Sequence, residues 1–313
     1  MKMINKHIPV MLNEVKSFIP NNKKIDVIDA TFGAGGYTKS ILNEFNVNKL
    51  IAIDRDPTTK QFANEVKKEF NNFHFANEKF SKIDDISKSL HLKKKFDVII
   101  FDLGVSSNQI EDSKRGFSFQ KDGPLDMNMS SSSKKAYEVI NLYDEKKLAN
   151  IIFEYGEERF SRRIAKNIVN NRNIKSINST LELAKIVEKC FPINSKKFRK
   201  THPATRTFQA LRIYINDEIN ELKNTLNKTI ELLNNDGFLI IVSFQSLEDR
   251  IVKEFFNHNS GKKWRSSRHY PELVDLGPIT LNIITKKPIR PTDIEISNNP
   301  RSRSAKLRVA QKI

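Results

Sequence analysis

Cysteine is almost absent from this chain. The single Cys190 excludes an internal disulfide framework and a thiolate zinc site. It follows an apolar helical run and reads as a core residue. No other metal-ligand spacing is visible, so no metal is expected. No apolar stretch approaches the ~20 residues needed to span a bilayer, and residues 1–7 lack the apolar core of a signal peptide. A membrane partner is therefore not expected, and a reducing, cytoplasmic compartment is. No internal repeat is visible. Acid is the scarcer sign of charge: 37 Asp+Glu face 54 Lys+Arg, a formal net charge of +17. Lysine and asparagine are spread along the whole chain, so part of this excess belongs to a solvated surface. The remainder favours a polyanionic partner, because each neutralised phosphate releases counterions. Apolar residues, at 38% of 313, suffice to bury a core in one large or two modest domains.

What is present is an alternation of elements. Residues 25–30, 50–54 and 96–102 read as buried strands, short, β-branched and ended by Gly or Asp; residues 73–76 can add another. Between the first two, residues 38–45 form a helical pattern with Ile41, Leu42 and Phe45 on one face. This strand–helix–strand order predicts an α/β fold with a doubly wound parallel sheet. Residues 105–140 break the rhythm with Gly116, Gly123, Pro124 and the serine run 130–133, the pattern of a long functional loop. Helices follow. Leu148, Ile151, Ile152 and Tyr155 share one face, with Gly156 as a stop. Phe160, Ile164 and Ile168 share another, and Ser179-Thr180-Leu181-Glu182 is a capping box. One long helix is predicted from Pro203, with the stripe Phe208, Leu211, Ile215, Ile219, Leu222, Leu226, Ile230 and Leu233. Asn235-Asp236-Gly237 ends it. A strand at 238–244, a helix at 246–256 and a strand at 279–285 complete the pattern. The simplest architecture is one α/β domain, residues 1–109 and 206–313, carrying an inserted helical domain at 110–205.

The first strand runs into Asp29-Ala30-Thr31-Phe32-Gly33-Ala34-Gly35-Gly36. Glycines there let the backbone turn and approach a ligand. A dinucleotide fingerprint read from Gly33 needs glycine where Thr38 stands, and no Gly-Lys-Ser/Thr follows, so pyrophosphate cofactors and a nicotinamide oxidoreductase are disfavoured. Asp54 closes the second strand. It can accept hydrogen bonds from a ribose diol, or cap the turn into Asp56-Pro57. Phe80 can pack on an adenine or belong to the core. A nucleoside cofactor without pyrophosphate points to S-adenosylmethionine, whose sulfonium leaves as a neutral group and asks the protein mainly for alignment. The fourth strand ends in Asp102-Leu103-Gly104-Val105-Ser106-Ser107. Asp102 is the candidate catalytic residue. It can hold the N–H of an amine nucleophile or bind the cofactor; the alternative is a strand-end turn.

Taken in order, these segments resemble the bacterial 16S ribosomal RNA (cytosine-N4)-methyltransferase family. So do Arg115-Gly116-Phe117-Ser118-Phe119, Asp122-Gly123-Pro124-Leu125-Asp126-Met127 and Tyr155-Gly156-Glu157-Glu158-Arg159-Phe160. Further on, His202-Pro203-Ala204-Thr205-Arg206-Thr207-Phe208-Gln209-Ala210, Ser246-Leu247-Glu248-Asp249-Arg250 and Asn299-Pro300-Arg301-Ser302-Arg303-Ser304 extend the likeness over nearly the whole chain. The resemblance implies a class I methyltransferase sheet with an inserted helical domain. It implies methyl transfer from S-adenosylmethionine to the N4 amino group of a cytidine in the decoding region of small-subunit ribosomal RNA. It places cofactor contacts at Gly33, Gly35, Gly36, Tyr37, Asp54, Phe80, Asp102 and Gln109, and substrate contacts at Arg206, Gln209 and Ser246. Its partner is the small ribosomal subunit or its RNA, and a homodimer is compatible with it. Two positions depart from the family pattern: Tyr37 and Gln245 stand where histidines are usual, and glutamine cannot titrate near neutrality.

Basic stretches at 159–163, 196–206, 262–268 and 301–308 are candidate phosphate contacts, which position RNA without reading its sequence. Trp264 can stack on a base or anchor a loop. Arg206 and Gln209 share a helix face, where they can reach substrate or only cap and solvate the helix. Two other functions compete. DNA amino-methyltransferases carry an Asp/Asn/Ser-Pro-Pro-aromatic motif that Leu103-Gly104-Val105 does not match. An RNA-binding assembly factor without catalysis is opposed by the intact Gly33, Gly35, Gly36, Asp54 and Asp102.

Overall fold

The structure, a computed structural model, describes residues 9–89, 95–130, 134–192, 201–262 and 278–313. Trp264 and most of the basic stretches 196–206 and 262–268 lie outside them. The chain forms two compact units, Met1–Gly104 with Asn220–Ile313, and Val105–Ile219.

The first unit is built on a seven-stranded sheet. Its strands are β1 (Ile25–Asp29), β2 (Val47–Ile53), β3 (Phe73–Ala76), β4 (Phe96–Asp102), β5 (Leu233–Ser243), β6 (Leu281–Ile283) and β7 (Lys306–Lys312), in the order β3-β2-β1-β4-β5-β7-β6. The first five run parallel, and β7 lies antiparallel to both β5 and β6. Strand order reverses between β1 and β4, the switch point outside which ligands bind in open α/β sheets. Val98, Ile100, Ile240, Val242, Leu307 and Val309 alternate into one core with Val27, Leu50 and Ala52; each such burial is worth about 1.5–3 kcal/mol. Helices α1 (Leu12–Lys16), α2 (Gly36–Glu44), α3 (Lys60–Glu69) and α4 (Ile83–Ser89) belong to this unit.

The second unit holds α5 (Ser107–Glu111), α6 (Ala136–Leu142), α7 (Glu145–Gly156), α8 (Ser161–Arg172), α9 (Thr180–Glu188) and α10 (Thr205–Asn216). Its core is separate and helical: Ile140, Leu148, Ile152, Ile164, Ile168, Leu183, Phe208 and Leu211 are members. The Ser179 hydroxyl caps α9 as its motif predicts, accepting from Glu182 N.

The long helix expected from Pro203 is two helices. Asp217 adopts a left-handed conformation, φ 51°, between α10 and α11 (Glu218–Leu232). Aspartate tolerates that region better than most residues. Buried Asn216 pins the break: its amide donates to Met127 O (2.8 Å) and Arg212 O (2.9 Å), and its carbonyl accepts from Met129 N (2.9 Å). A paired ion bridge, Arg212 Nε and Nη2 to the Glu218 carboxylate at 2.8 Å each, spans it. The second crossing between units therefore falls at 219/220, one helix later than the 205/206 boundary read from sequence. Asn235-Asp236-Gly237 is likewise inside β5, as an irregularity opposite Phe96–Val98; a Cβ on Gly237 would lie 2.9 Å from Asn234 O and 3.0 Å from Phe96 O. After β5 the chain forms α12 (Ser246–Asn259) and α13 (Asp293–Asn298). Among the described residues, no helix is long and apolar enough to cross a membrane.

Candidate active site

The loop after β1 is tied to both neighbouring strands. Ala30 N donates to Ile100 O on β4, and Phe32 N donates to Ile53 O on β2, each at 2.9 Å. Gly33 (φ 56°) and Gly35 (φ 79°) take the left-handed turn that side chains disfavour. Gly35 then caps α2. Gly36 has a packing reason of its own, because a Cβ there would fall 2.3 Å from Pro9 Cγ.

Three aspartates mark the carboxyl ends of the adjacent strands β1, β2 and β4. Asp29 is buried, with one oxygen accepting from Thr31 N (3.2 Å) and the other from the Thr38 hydroxyl (2.7 Å). Thr38, which breaks the dinucleotide fingerprint, is thus the partner of a buried carboxylate. Burial still raises Asp29 to about 6. Asp54 joins two turns: Oδ2 accepts from Gly33 N (2.7 Å) and Oδ1 from Asp56 N (2.8 Å), while its own carbonyl accepts from Asn77 Nδ2 (2.8 Å). Burial raises Asp54 to about 6 as well. Each of its oxygens keeps a second lone pair, which is what a ribose diol requires. Asp102 differs. Its backbone N–H is held by the Thr31 hydroxyl at 2.6 Å, but its buried Oδ1 has no hydrogen-bond partner. Burial, then the nearby Asp29 and Glu248 carboxylates, push it up to about 8.

Other predicted site residues sit as follows. The Tyr37 ring is buried and its hydroxyl donates to Val10 O. Burial, with Asp102 and Asp29 next, holds that phenol well above its ordinary range. Phe80 opens a short 3-10 turn and meets the Phe101 ring edge-on at 5.7 Å. Ser246 is the first residue of α12, where Glu248 accepts from Phe244 N (3.1 Å) and Gln245 N (3.2 Å). In the second unit, buried Gln109 forms a capping box with Ser106 at the start of α5. Arg206 donates to Glu157 O (2.9 Å) and Gln209 to Tyr155 O (3.2 Å), so both close the carboxyl end of α7. The stretch 301–308 is not all surface. Arg308 is buried in β7, and its Nε donates to Asp249 at 2.6 Å beside Lys306 at 3.0 Å. That pair neutralises an acid from the Ser246-Leu247-Glu248-Asp249-Arg250 motif and leaves Arg308 for packing.

Sequence reasoning assigned no role to Asp29, Thr31 or Glu248, which shape Asp102. Their signal was position alone, two in the glycine-loop motif and one in the α12 motif.

A buried carboxylate oxygen without a partner needs a cation or a donor. S-adenosylmethionine carries a sulfonium, an ammonium and a ribose diol, and Asp102 and Asp54 suit these groups. Among the described residues, no cluster of His, Cys, Asp and Glu could hold a metal. The family model described as the MraW methylase family matches residues 4–313. A Rickettsia bellii protein named ribosomal RNA small subunit methyltransferase H is 48% identical over 309 residues, covering 98% of this chain and 99% of that one. The protein of that name from Rickettsia canadensis is 48% identical over 315 residues, covering 99% of each chain. With its sheet order, its glycine loop and this likeness along its whole length, the chain belongs to the MraW methylase family and is an S-adenosylmethionine-dependent methyltransferase.

Proposed function

We propose that this enzyme methylates the N4 amino group of a cytidine in the decoding region of 16S ribosomal RNA, and that its helical unit recognises the RNA. The relatives' name supports ribosomal RNA as substrate. The observation that carries the N4 reading is Asp102, a buried carboxyl at the end of β4 with an unpartnered Oδ1. S-adenosylmethionine supplies the methyl group on a positively charged sulfur. The exocyclic nitrogen of cytosine is a poor nucleophile because its lone pair is delocalised into the ring. Asp102, once ionised, accepts an N–H from that nitrogen and favours its pyramidal, nucleophilic form. A positive charge bound nearby favours the ionised carboxylate over the protonated one that burial otherwise selects. No strong base is needed beforehand, since the amine becomes acidic only as the new bond forms. Gly33 and Asp54 hold the loop in place while this occurs, so their task is alignment.

The test is to incubate the protein with methyl-labelled donor and either small subunits or naked small-subunit RNA, then map the modified nucleotide. Label on N4 of a decoding-region cytidine is expected. Label on another atom or another region overturns the N4 assignment, and no label on either substrate favours the assembly-factor alternative.

A further inference from the structure

Cys190 and the basic stretch 159–163 were unrelated features of the sequence. In the helical unit they meet in one cavity of about 250 Å³, lined by Arg163, Lys166, Asn167, Asn170, Lys189 and Cys190. On α8, positions 163, 166, 167 and 170 follow the three-and-four spacing of a single helix face. Lys189 and Cys190 come from the end of α9.

A helix carboxyl end ordinarily attracts cations to its free carbonyls, and three basic side chains there could serve only that purpose. The hydrogen bonds argue otherwise. Lys185 O accepts from Lys189 N (3.2 Å), Val187 O from Cys190 N (3.0 Å) and Glu188 O from Phe191 N (3.2 Å). Ile186 O accepts from Asn167 Nδ2 (3.0 Å) and from the Cys190 thiol (3.5 Å). The last turn of α9 is satisfied by neutral donors. Asn167 uses its remaining amide hydrogen on Cys190 Sγ at 3.3 Å, so Asn167 and Cys190 form the wall. Arg163, Lys166, Lys189 and Asn170 are exposed at the mouth. Among the described residues none of these three cations has an acidic partner. Their charge is surplus to the fold, and it converges on a concave site with an amide donor beside it.

We propose that this cavity binds a backbone phosphate of the substrate RNA, away from the nucleotide that is methylated. The proposal rests on the RNA reading above. A phosphodiester matches the chemistry: a guanidinium fork and two ammonium groups for its oxygens, with no aromatic surface for a base. It would fix the register of the RNA without reading sequence.

The experiment compares Arg163→Gln/Lys166→Gln/Lys189→Gln with a control of equal charge loss on another surface, Lys60→Gln/Lys67→Gln/Lys68→Gln on α3. All six side chains are exposed, and thermal unfolding checks that both variants fold. Binding of a fluorescent transcript of the decoding region is titrated at several salt concentrations, with S-adenosylmethionine affinity measured in parallel. The cavity variant is expected to lose about tenfold in RNA affinity near 0.1 M salt and to shed about one unit of salt slope. The control should change less than about twofold, a small response to net charge alone, and cofactor affinity should not move. Equal losses in both variants, an unchanged cavity variant, or wild-type protein that binds no RNA would each overturn the phosphate site. RNA that binds through the cavity but is never methylated upholds the site while removing the methyl-acceptor reading, so the two failures are distinguishable.

Discussion

Strand β4 carries an aspartate at each end, and the two are treated in opposite ways. At its start, Asp97 is fully employed. Lys23 Nζ donates to it at 2.7 Å, Asp26 N at 2.9 Å and Asn234 Nδ2 at 3.2 Å. Burial works against these bonds but does not prevail, and the carboxyl lies below its ordinary range. At the other end Asp102 has a bare oxygen among like charges and lies near 8. One acid fastens strands together. The other is held at a cost to the fold, and such a cost is retained where a ligand relieves it. The contrast separates a structural carboxylate from a functional one on a single element.

Four experiments can break or sharpen it. The largest effect belongs to Asp102→Asn, expected to lower single-turnover methyl transfer about 100-fold or more. Its stability should respond the other way. Because the folded value near 8 lies above the ordinary 3.8, this group favours the fold fully below pH 4 and loses that contribution as pH rises toward 8. Relative to wild type without ligand, the variant should therefore gain unfolding temperature between pH 5 and 8. Full activity, or a variant that loses ground over that range, ends the functional assignment. Next is Asp54→Ala, which removes the ribose acceptor and the hold on Gly33. Calorimetric titration should show S-adenosylmethionine binding weakened about 10- to 100-fold, equivalent to about 1.5–3 kcal/mol; unchanged affinity removes Asp54 from the cofactor site. Asp97→Ala should cost about 1–3 kcal/mol in denaturant unfolding by stranding Asp26 N, with half-exposed Lys23 contributing little. Turnover per folded molecule should persist. The smallest change is with pH. Cofactor affinity should climb toward pH 8 by at most about tenfold per unit and then level, while Asp102→Asn flattens the upper part of the rise. A flat profile in wild type would show that the bound charge does not couple to Asp102.

The sheet up to β4 was legible because its strands are short, continuous β-branched runs closed by Asp or Gly, and the glycine loop sits directly after the first. Asp54 and Asp102 were legible for the same reason. The break at Asp217 was not, since Ile215 and Ile219 keep the helical stripe in phase across it, and what bends the chain is Asn216 reaching Met127 and Met129. Strand β7 escaped notice because Lys306, Arg308 and Lys312 resemble a solvated basic tail. Only Asp249, far away in the chain, shows that Arg308 is buried. Gly36 and Tyr37 also depend on distant partners, Pro9 and Val10. Arg206 and Gln209 had two readings, and the hydrogen bonds to the end of α7 supply the capping one.

The place of β5 in the chain bears on how the protein is made. Its partner β4 is translated first, and all of residues 105–219 follow before Leu233 emerges. Until then Phe96, Val98, Ile99, Ile100 and Phe101, all buried in the finished sheet, present an open edge able to pair with another chain. The helical unit draws its core from one contiguous stretch, so it can form during that wait by local contacts, which close quickly. Ribosome-bound chains stopped just before β5 would carry a complete helical core beside an unprotected strand, which makes that interval of synthesis the one most exposed to aggregation.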